Sequence, residues 1–218
     1  MDYVFLFLDR TKESEQMSQL EQWASETRAA AANPEHEWDR KAIDWPELNS
    51  NSVVWEIGSF KGRWALQMAE RYNPRLYCFE PQEWACDVTR YVLQDFDNVV
   101  VRNCGLGIRD EELPMGEFGT DGCSFLRDTR QKGTGYIRNI VDVVRESGVE
   151  QIDVCLINIE GYEYELIPYM LEQEVLPCYL MIQFHGDAMQ DLLLRKLIET
   201  RYNLHWDYGK WLACWVVK

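Results

Sequence analysis

Basic residues are scarce in this chain. Its 218 residues hold 22 lysines and arginines against 37 aspartates and glutamates, a formal charge of −15. Binding a nucleic-acid backbone or an anionic membrane surface relies on concentrated Lys and Arg. The balance argues against both partners and suits a neutral or cationic one. Histidine is scarcer still: His36, His185 and His205 lie far apart and make no zinc-ligand spacing. None of the seven cysteines falls in a C-x-x-C pair, so no metal site is expected. Cys78, Cys155 and Cys214 sit inside apolar runs, where a thiol acts as a small hydrophobe. Reduced cysteines place the protein in the cytoplasm. Long hydrophobic runs are absent too. Residues 3–8 are apolar but too few to span a bilayer, and Asp2 precedes them where a signal peptide has basic residues. The chain has no internal repeat and no low-complexity segment.

What is present is an alternation. Residues 1–12 read as an added edge strand or an arm on the body. Over 13–32, Met17, Leu20, Ala24, Thr27 and Ala31 recur at three- and four-residue steps, the pattern of an amphipathic helix. It either lies over a ligand mouth or simply packs on the body, and Asn33-Pro34 stops it. Residues 36–51 form a linker whose tryptophans, Trp38 and Trp45, pin it down. Strands are then expected at 53–57, 76–79, 99–101, 152–157 and 179–184, with helices at 62–72, 82–95, 137–147, 162–173 and 187–200. Residues 108–135 read as an irregular, glycine-rich stretch. The end, 203–217, reads as a β-hairpin. Five alternations imply an α/β fold, a mostly parallel sheet covered by helices on both faces, with one antiparallel strand from the hairpin. Residues 1–51 thus form a helical extension packed on a core domain of 52–218.

The chemistry concentrates in Val53-Val54-Trp55-Glu56-Ile57-Gly58-Ser59-Phe60-Lys61-Gly62. Strand, glycine turn and helix make the unit that binds nucleotide-like cofactors at the carboxyl edge of a parallel sheet. At the tip of the next strand, Glu80 is placed to accept hydrogen bonds from both ribose hydroxyls. Glu56 inside the first turn would repel a pyrophosphate but welcome a sulfonium ligand carrying an α-ammonium. Phe60 also stands where a dinucleotide-binding loop has its middle glycine. A nicotinamide oxidoreductase is therefore disfavoured, and S-adenosylmethionine fits the turn better.

Four motifs stand in order: Glu56-Ile57-Gly58-Ser59-Phe60-Lys61-Gly62, Phe79-Glu80-Pro81, Asn103-Cys104-Gly105-Leu106-Gly107 and Ile157-Asn158-Ile159-Glu160-Gly161-Tyr162-Glu163. Together they resemble the S-adenosylmethionine-dependent methyltransferases of the FkbM type. Gly122-Cys123-Ser124 is similar to that family's Gly-Ser-Ser element, and Gln183-Phe184-His185 to its strand ending in Glu-x-His. The likeness covers roughly residues 52–186. It implies a Rossmann-like, seven-stranded fold and O-methylation of a sugar or another small metabolite. By that resemblance Glu56, Gly58, Ser59 and Gly62 surround the methionine part of the cofactor. Glu80 holds the ribose, and Asn103 and Cys104 lie near the adenine. Two positions depart from the family: Asn158 replaces an aspartate and Gln183 a glutamate. Both bear on turnover more than on cofactor binding, and they support an alternative, a degenerate fold that binds cofactor or partner without reacting.

Methyl transfer requires alignment, exclusion of water and removal of a proton from a hydroxyl acceptor. His185, at a strand end on the ligand edge, is suited to take that proton, or else it fixes a turn. Glu160 orients the acceptor, serves as the base, or carries charge at the start of the next helix. Asn158 supplies an amide where a carboxylate is expected. Glu163 and Glu165 read as a solvated helix face.

Overall fold

A computed structural model describes residues 3–115, 133–209 and 211–218. The chain runs through α1 (Tyr3–Ala32), α2 (Glu37–Ala42), β1 (Val53–Ile57), α3 (Arg63–Tyr72), β2 (Arg75–Phe79), α4 (Glu83–Val92) and β3 (Val99–Arg102). It continues through β4 (Gly105–Gly107), β5 (Glu111–Met115), β6 (Gly133–Asn139), α5 (Ile140–Ser147), β7 (Val154–Ile157) and α6 (Glu163–Glu172). Last come β8 (Tyr179–Gln183), α7 (Ala188–Ile198), β9 (Tyr202–Asp207) and β10 (Leu212–Val217).

All five residues of β1 and all four of β7 are buried. Strands buried on both faces belong at the centre of a parallel sheet. Here they pair with each other in the middle of a seven-stranded sheet of order β3-β2-β1-β7-β8-β10-β9. β10 runs antiparallel to both β8 and β9, so the terminal hairpin inserts its second strand inside its first. Alternation along β1 divides the core. Val53, Trp55 and Ile57 face one layer with α5, α6 and α7, while Val54 faces the other with α1, α3 and α4. Cys78, Cys155 and Cys214 are fully buried within β2, β7 and β10, and none of the six described cysteines forms a disulfide.

Three expectations change. Residues 3–12 are neither strand nor arm but the first turns of α1, continuous with the amphipathic stretch that follows. Residues 108–135 are not all irregular. β5 and β6 pair antiparallel, and β4 joins β6 to make a second, three-stranded sheet. Because Gly133–Asn139 is strand, the next helix starts at Ile140, where the Asn139 side chain caps it by accepting from the Val141 and Asp142 N–H groups. Residues 116–132, with Gly122-Cys123-Ser124, lie outside the described residues. Elsewhere α7 opens with a capping box between Asp187 and Gln190.

The α1 stripe is buried from Ala24 through Thr27 to Ala31, while Met17 is exposed. It lies on α3 and α4: Gln67 Nε2 donates to the Ala31 carbonyl at 2.9 Å, and Arg28 donates to the Tyr91 carbonyl at 3.1 Å. The Trp23 ring meets Trp84 at 4.8 Å, and Trp84 meets Phe60 of the glycine turn at 5.4 Å. No helix among the described residues is long and apolar enough to cross a membrane.

One hydroxyl bridges two backbone groups of the segment between α2 and β1. Tyr72 Oη accepts the Trp45 N–H at 2.7 Å and donates to the Ile43 carbonyl at 2.9 Å. Tyr72→Phe leaves two part-buried backbone groups unpaired. It should lower the unfolding free energy by roughly 1–3 kcal/mol in urea titration, with little change in slope.

Candidate active site

The carboxyl edge of the sheet gathers most of the residues singled out in the sequence. Gly58 follows the end of β1 with φ +84°, and a Cβ there would lie 1.9 Å from the Asn158 carbonyl oxygen. Only glycine permits this conformation and this approach. The Gly58 and Ser59 N–H groups both donate to the Phe79 carbonyl, at 2.9 and 3.1 Å, so the turn is sewn to the end of β2. Phe60 takes φ +48°, the left-handed conformation that a glycine would otherwise supply. Both of its backbone groups are held: its N–H donates to Glu80 Oε2 at 2.8 Å, and its carbonyl accepts from Thr89 Oγ1 at 2.6 Å. Gly62, φ +76°, lies against Thr89, where a Cβ would come within 2.9 Å of Cγ2.

Glu56 is 3% exposed. Burial holds its carboxyl well above the usual carboxylate range, a hydrogen bond from the Ala65 N–H at the start of α3 opposes this, and repulsion from Glu80 adds to it. Its Oε2 has no hydrogen-bond partner among the described residues. The same is true of two other buried acceptors, Ser59 Oγ and Asn158 Oδ1. Glu80 is as buried as Glu56. One oxygen accepts the Phe60 N–H and the other the Gln82 N–H at 2.9 Å. Burial lifts its carboxyl to about 7 despite those two bonds. Each oxygen keeps a second lone pair for a ligand donor.

Asn103 and Cys104, expected near the adenine, follow β3, and their side chains turn to the protein. Asn103 Nδ2 donates to the Glu80 and Pro81 carbonyls, at 2.9 and 3.2 Å, and braces the turn after β2. The Cys104 side chain belongs to the hydrophobic core beside Phe79 and Leu106. Apolar surroundings claim the thiol, and a peptide brace claims the amide.

On the far side of β7 a second cluster forms. Glu163 is completely buried, not a solvated helix residue. Its Oε2 accepts the Gly161 N–H at 2.8 Å, and its Oε1 takes both the backbone N–H of His185 at 2.9 Å and its ring Nδ1 at 3.0 Å. His185 Nε2 lies 3.3 Å from Glu160 Oε1 and 3.4 Å from Gln183 Nε2. Burial works against charge on the imidazole, but hydrogen bonds to Glu160 and Glu163 outweigh it and lift His185 to about 9. A ring held charged in this way has no lone pair with which to accept a proton, whereas a neutral one has. Glu160, in the left-handed region at φ +55°, is the more exposed partner, with 22% of its side chain accessible. Sequence reasoning missed Glu163. The available signal was an acid two residues past Gly161, placed to turn back onto that glycine's N–H. Among the described residues no cluster of His, Cys, Asp and Glu could hold a metal ion.

No family model matches the chain, and no curated protein matches it. Solved structures do. The precorrin-6y C5,15-methyltransferase of Geobacter metallireducens has 12% identity and a TM-score of 0.50, over 82% of this chain and 87% of that one. An O-methyltransferase from Bacillus cereus, in complex with SAH, has 13% identity and a TM-score of 0.49, over 91% and 90%. An rRNA methylase from Streptococcus thermophilus has 14% identity and a TM-score of 0.45, over 78% and 89%. At such identity the first likeness carries the fold alone, a Rossmann-like α/β sheet; here its antiparallel strand, β10, lies next to the edge.

The raised groups of the site should make stability fall as pH rises. His185 is raised from its ordinary 6.5 to about 9, so its stabilisation is complete below pH 6.5 and lost as pH climbs through 9. Glu80, raised from 4.5 to about 7, adds a loss over the lower window, as pH climbs through 7. The thermal midpoint of the ligand-free protein should drop from pH 6 to pH 9, and His185→Gln should flatten the part above pH 7. A midpoint that rises over that range would contradict the paired imidazolium.

Proposed function

We propose that the chain is an S-adenosylmethionine-dependent O-methyltransferase of the FkbM type, acting on a hydroxyl of a sugar or other small metabolite. The observation that carries this reading is the set of three buried, unpartnered acceptors beside the glycine turn: Glu56 Oε2, Ser59 Oγ and Asn158 Oδ1. A primary ammonium brings three N–H donors, one for each, and its charge suits the Glu56 carboxylate. Glu80, with spare lone pairs at the end of β2, suits a ribose diol. The residues present therefore fit the cofactor. When bound, S-adenosylmethionine supplies an electrophilic methyl group on a sulfonium.

The chain's own residues align and deprotonate. Gly58 and Gly62 keep side chains out of the turn, so that backbone borders the methionine portion directly. Asn158 orients that portion with its amide. Asn103 and Cys104 contribute near the adenine through their backbone, since their side chains are committed elsewhere. At the acceptor side Glu160 takes the hydroxyl proton. His185, already charged, holds the Glu160 carboxylate in place, and Glu163 holds His185. The chain's charge of −15 disfavours nucleic acid as the acceptor.

Two measurements test this. Calorimetry should detect S-adenosylmethionine binding, and Glu80→Ala should weaken it by roughly tenfold or more, the value of one charge-assisted hydrogen bond. No binding by the unaltered protein overturns the reading. Asn158 separates an enzyme from a cofactor-binding protein without turnover. With labelled S-adenosylmethionine and a panel of sugars and metabolites, Asn158→Asp should be tolerated and Asn158→Ala should be poor. A large gain in rate for Asn158→Asp would mean that a needed carboxylate has been lost, and the degenerate alternative would stand.

A further inference from the structure

Glu56 and Glu80 share one buried compartment with no counter-charge. They lie at the ends of adjacent strands, are 3% and 4% exposed, and repel each other. Neither forms an ion pair with a Lys, Arg or His among the described residues. The cations of the turn are engaged elsewhere. Lys61 Nζ lies over the Phe60, Trp84 and Trp23 rings at 5.1, 5.6 and 5.8 Å, and Arg63 pairs with Asp39 at 3.0 Å.

The titratable groups facing the pair from other elements offer no positive charge either. β2 presents Cys78 to Glu56, and α4 presents Cys86 to Glu80; burial pushes both thiols up, so both are neutral. α3 gives Glu56 the Ala65 N–H, and the residue after β7 brings an amide. Arg63, at the start of α3, makes its ion pair with Asp39 rather than with either acid, though its Nε has no hydrogen-bond partner among the described residues. The two acids differ in their support. Each Glu80 oxygen receives a backbone N–H, whereas Glu56 Oε2 receives nothing. A buried carboxylate without cation or donor keeps its proton, and the less supported of two keeps it more firmly.

We propose that the site takes up its cationic ligand in exchange for a proton: Glu56 is a neutral carboxylic acid in the ligand-free chain and a carboxylate once an ammonium is bound. The proton passes to buffer, no other bond is made or broken, and the compartment trades a hydrogen for a positively charged ligand. This rests on the S-adenosylmethionine reading and adds a linkage to it. Burial holds Glu56 above the usual carboxylate range, in keeping with a proton available for release. Affinity then weakens as pH falls, approaching about tenfold per pH unit where exchange is complete. The product, S-adenosylhomocysteine, keeps the ammonium and lacks the sulfonium, so it should release a proton as well.

The test is calorimetry of the natural chain with S-adenosylmethionine and with S-adenosylhomocysteine at pH 6.5, in phosphate and in imidazole buffers. Their different ionisation heats turn proton release into a difference in apparent enthalpy. We expect release of about half to one proton per ligand bound, and a clearly smaller release in Glu56→Gln. Infrared difference spectra of the natural chain should lose the carbonyl stretch of a protonated carboxyl on binding. Binding without proton release, or with equal release in Glu56→Gln, overturns the exchange and leaves the cofactor reading intact. Absence of any binding overturns the cofactor reading itself.

Discussion

The site depends on the grip of the Glu80 carboxyl group on two backbone N–H groups. One belongs to Phe60, whose left-handed backbone costs a non-glycine residue roughly 1–2 kcal/mol. The other belongs to Gln82, at the entry to α4. The first bond fixes the turn after β1, the second fixes the turn after β2, and Asn103 ties the turn after β3 to the same point. Thr89 closes the arrangement by holding the Phe60 carbonyl. Three consecutive strand ends are thereby set relative to one another without any ligand. The close approach of Gly58 to Asn158 then adds the fourth strand of the edge.

Two acidic clusters flank this edge, and the same side chain behaves differently in each. Glu160 and Glu163 have a histidine between them, so charge is kept there as an ion triplet. Glu56 and Glu80 have none, and the compartment favours neutrality until a cation arrives. Environment, not residue type, sets the chemistry of each carboxyl. One side is ready for a cationic ligand, and the other holds a carboxylate against an incoming hydroxyl.

Much of this was legible in the sequence. The strand and helix alternation follows from apolar periodicity, and all seven strands of the main sheet fall on segments read as strands. Glu56 and Glu80 stood out because their positions in a strand–turn–helix unit carry chemical meaning whatever surrounds them. The second sheet was not legible. β5 holds two glutamates and a proline and β6 opens on Gly-Thr-Gly, neither with the apolar alternation of a strand, and their pairing spans a long stretch of intervening chain. Glu163 was hidden for another reason. An acid in the first turn of a helix usually faces water, and only the fold brings the His185 backbone onto it. The placing of His185 between two carboxylates was equally out of reach, since both come from a different turn.

The buried cysteines give the fold a set of internal clocks. Cys155 lies in a central strand, Cys78 one strand from the edge, Cys214 in the inserted antiparallel strand, and Cys178 partly exposed just before β8. Burial pushes each of these thiols up, so a reagent that attacks thiolate reaches them slowly unless the surrounding structure opens. Their order of alkylation records the sequence in which parts of the sheet come apart. The unfolding route is thus written into the native chain, readable without introducing a single probe.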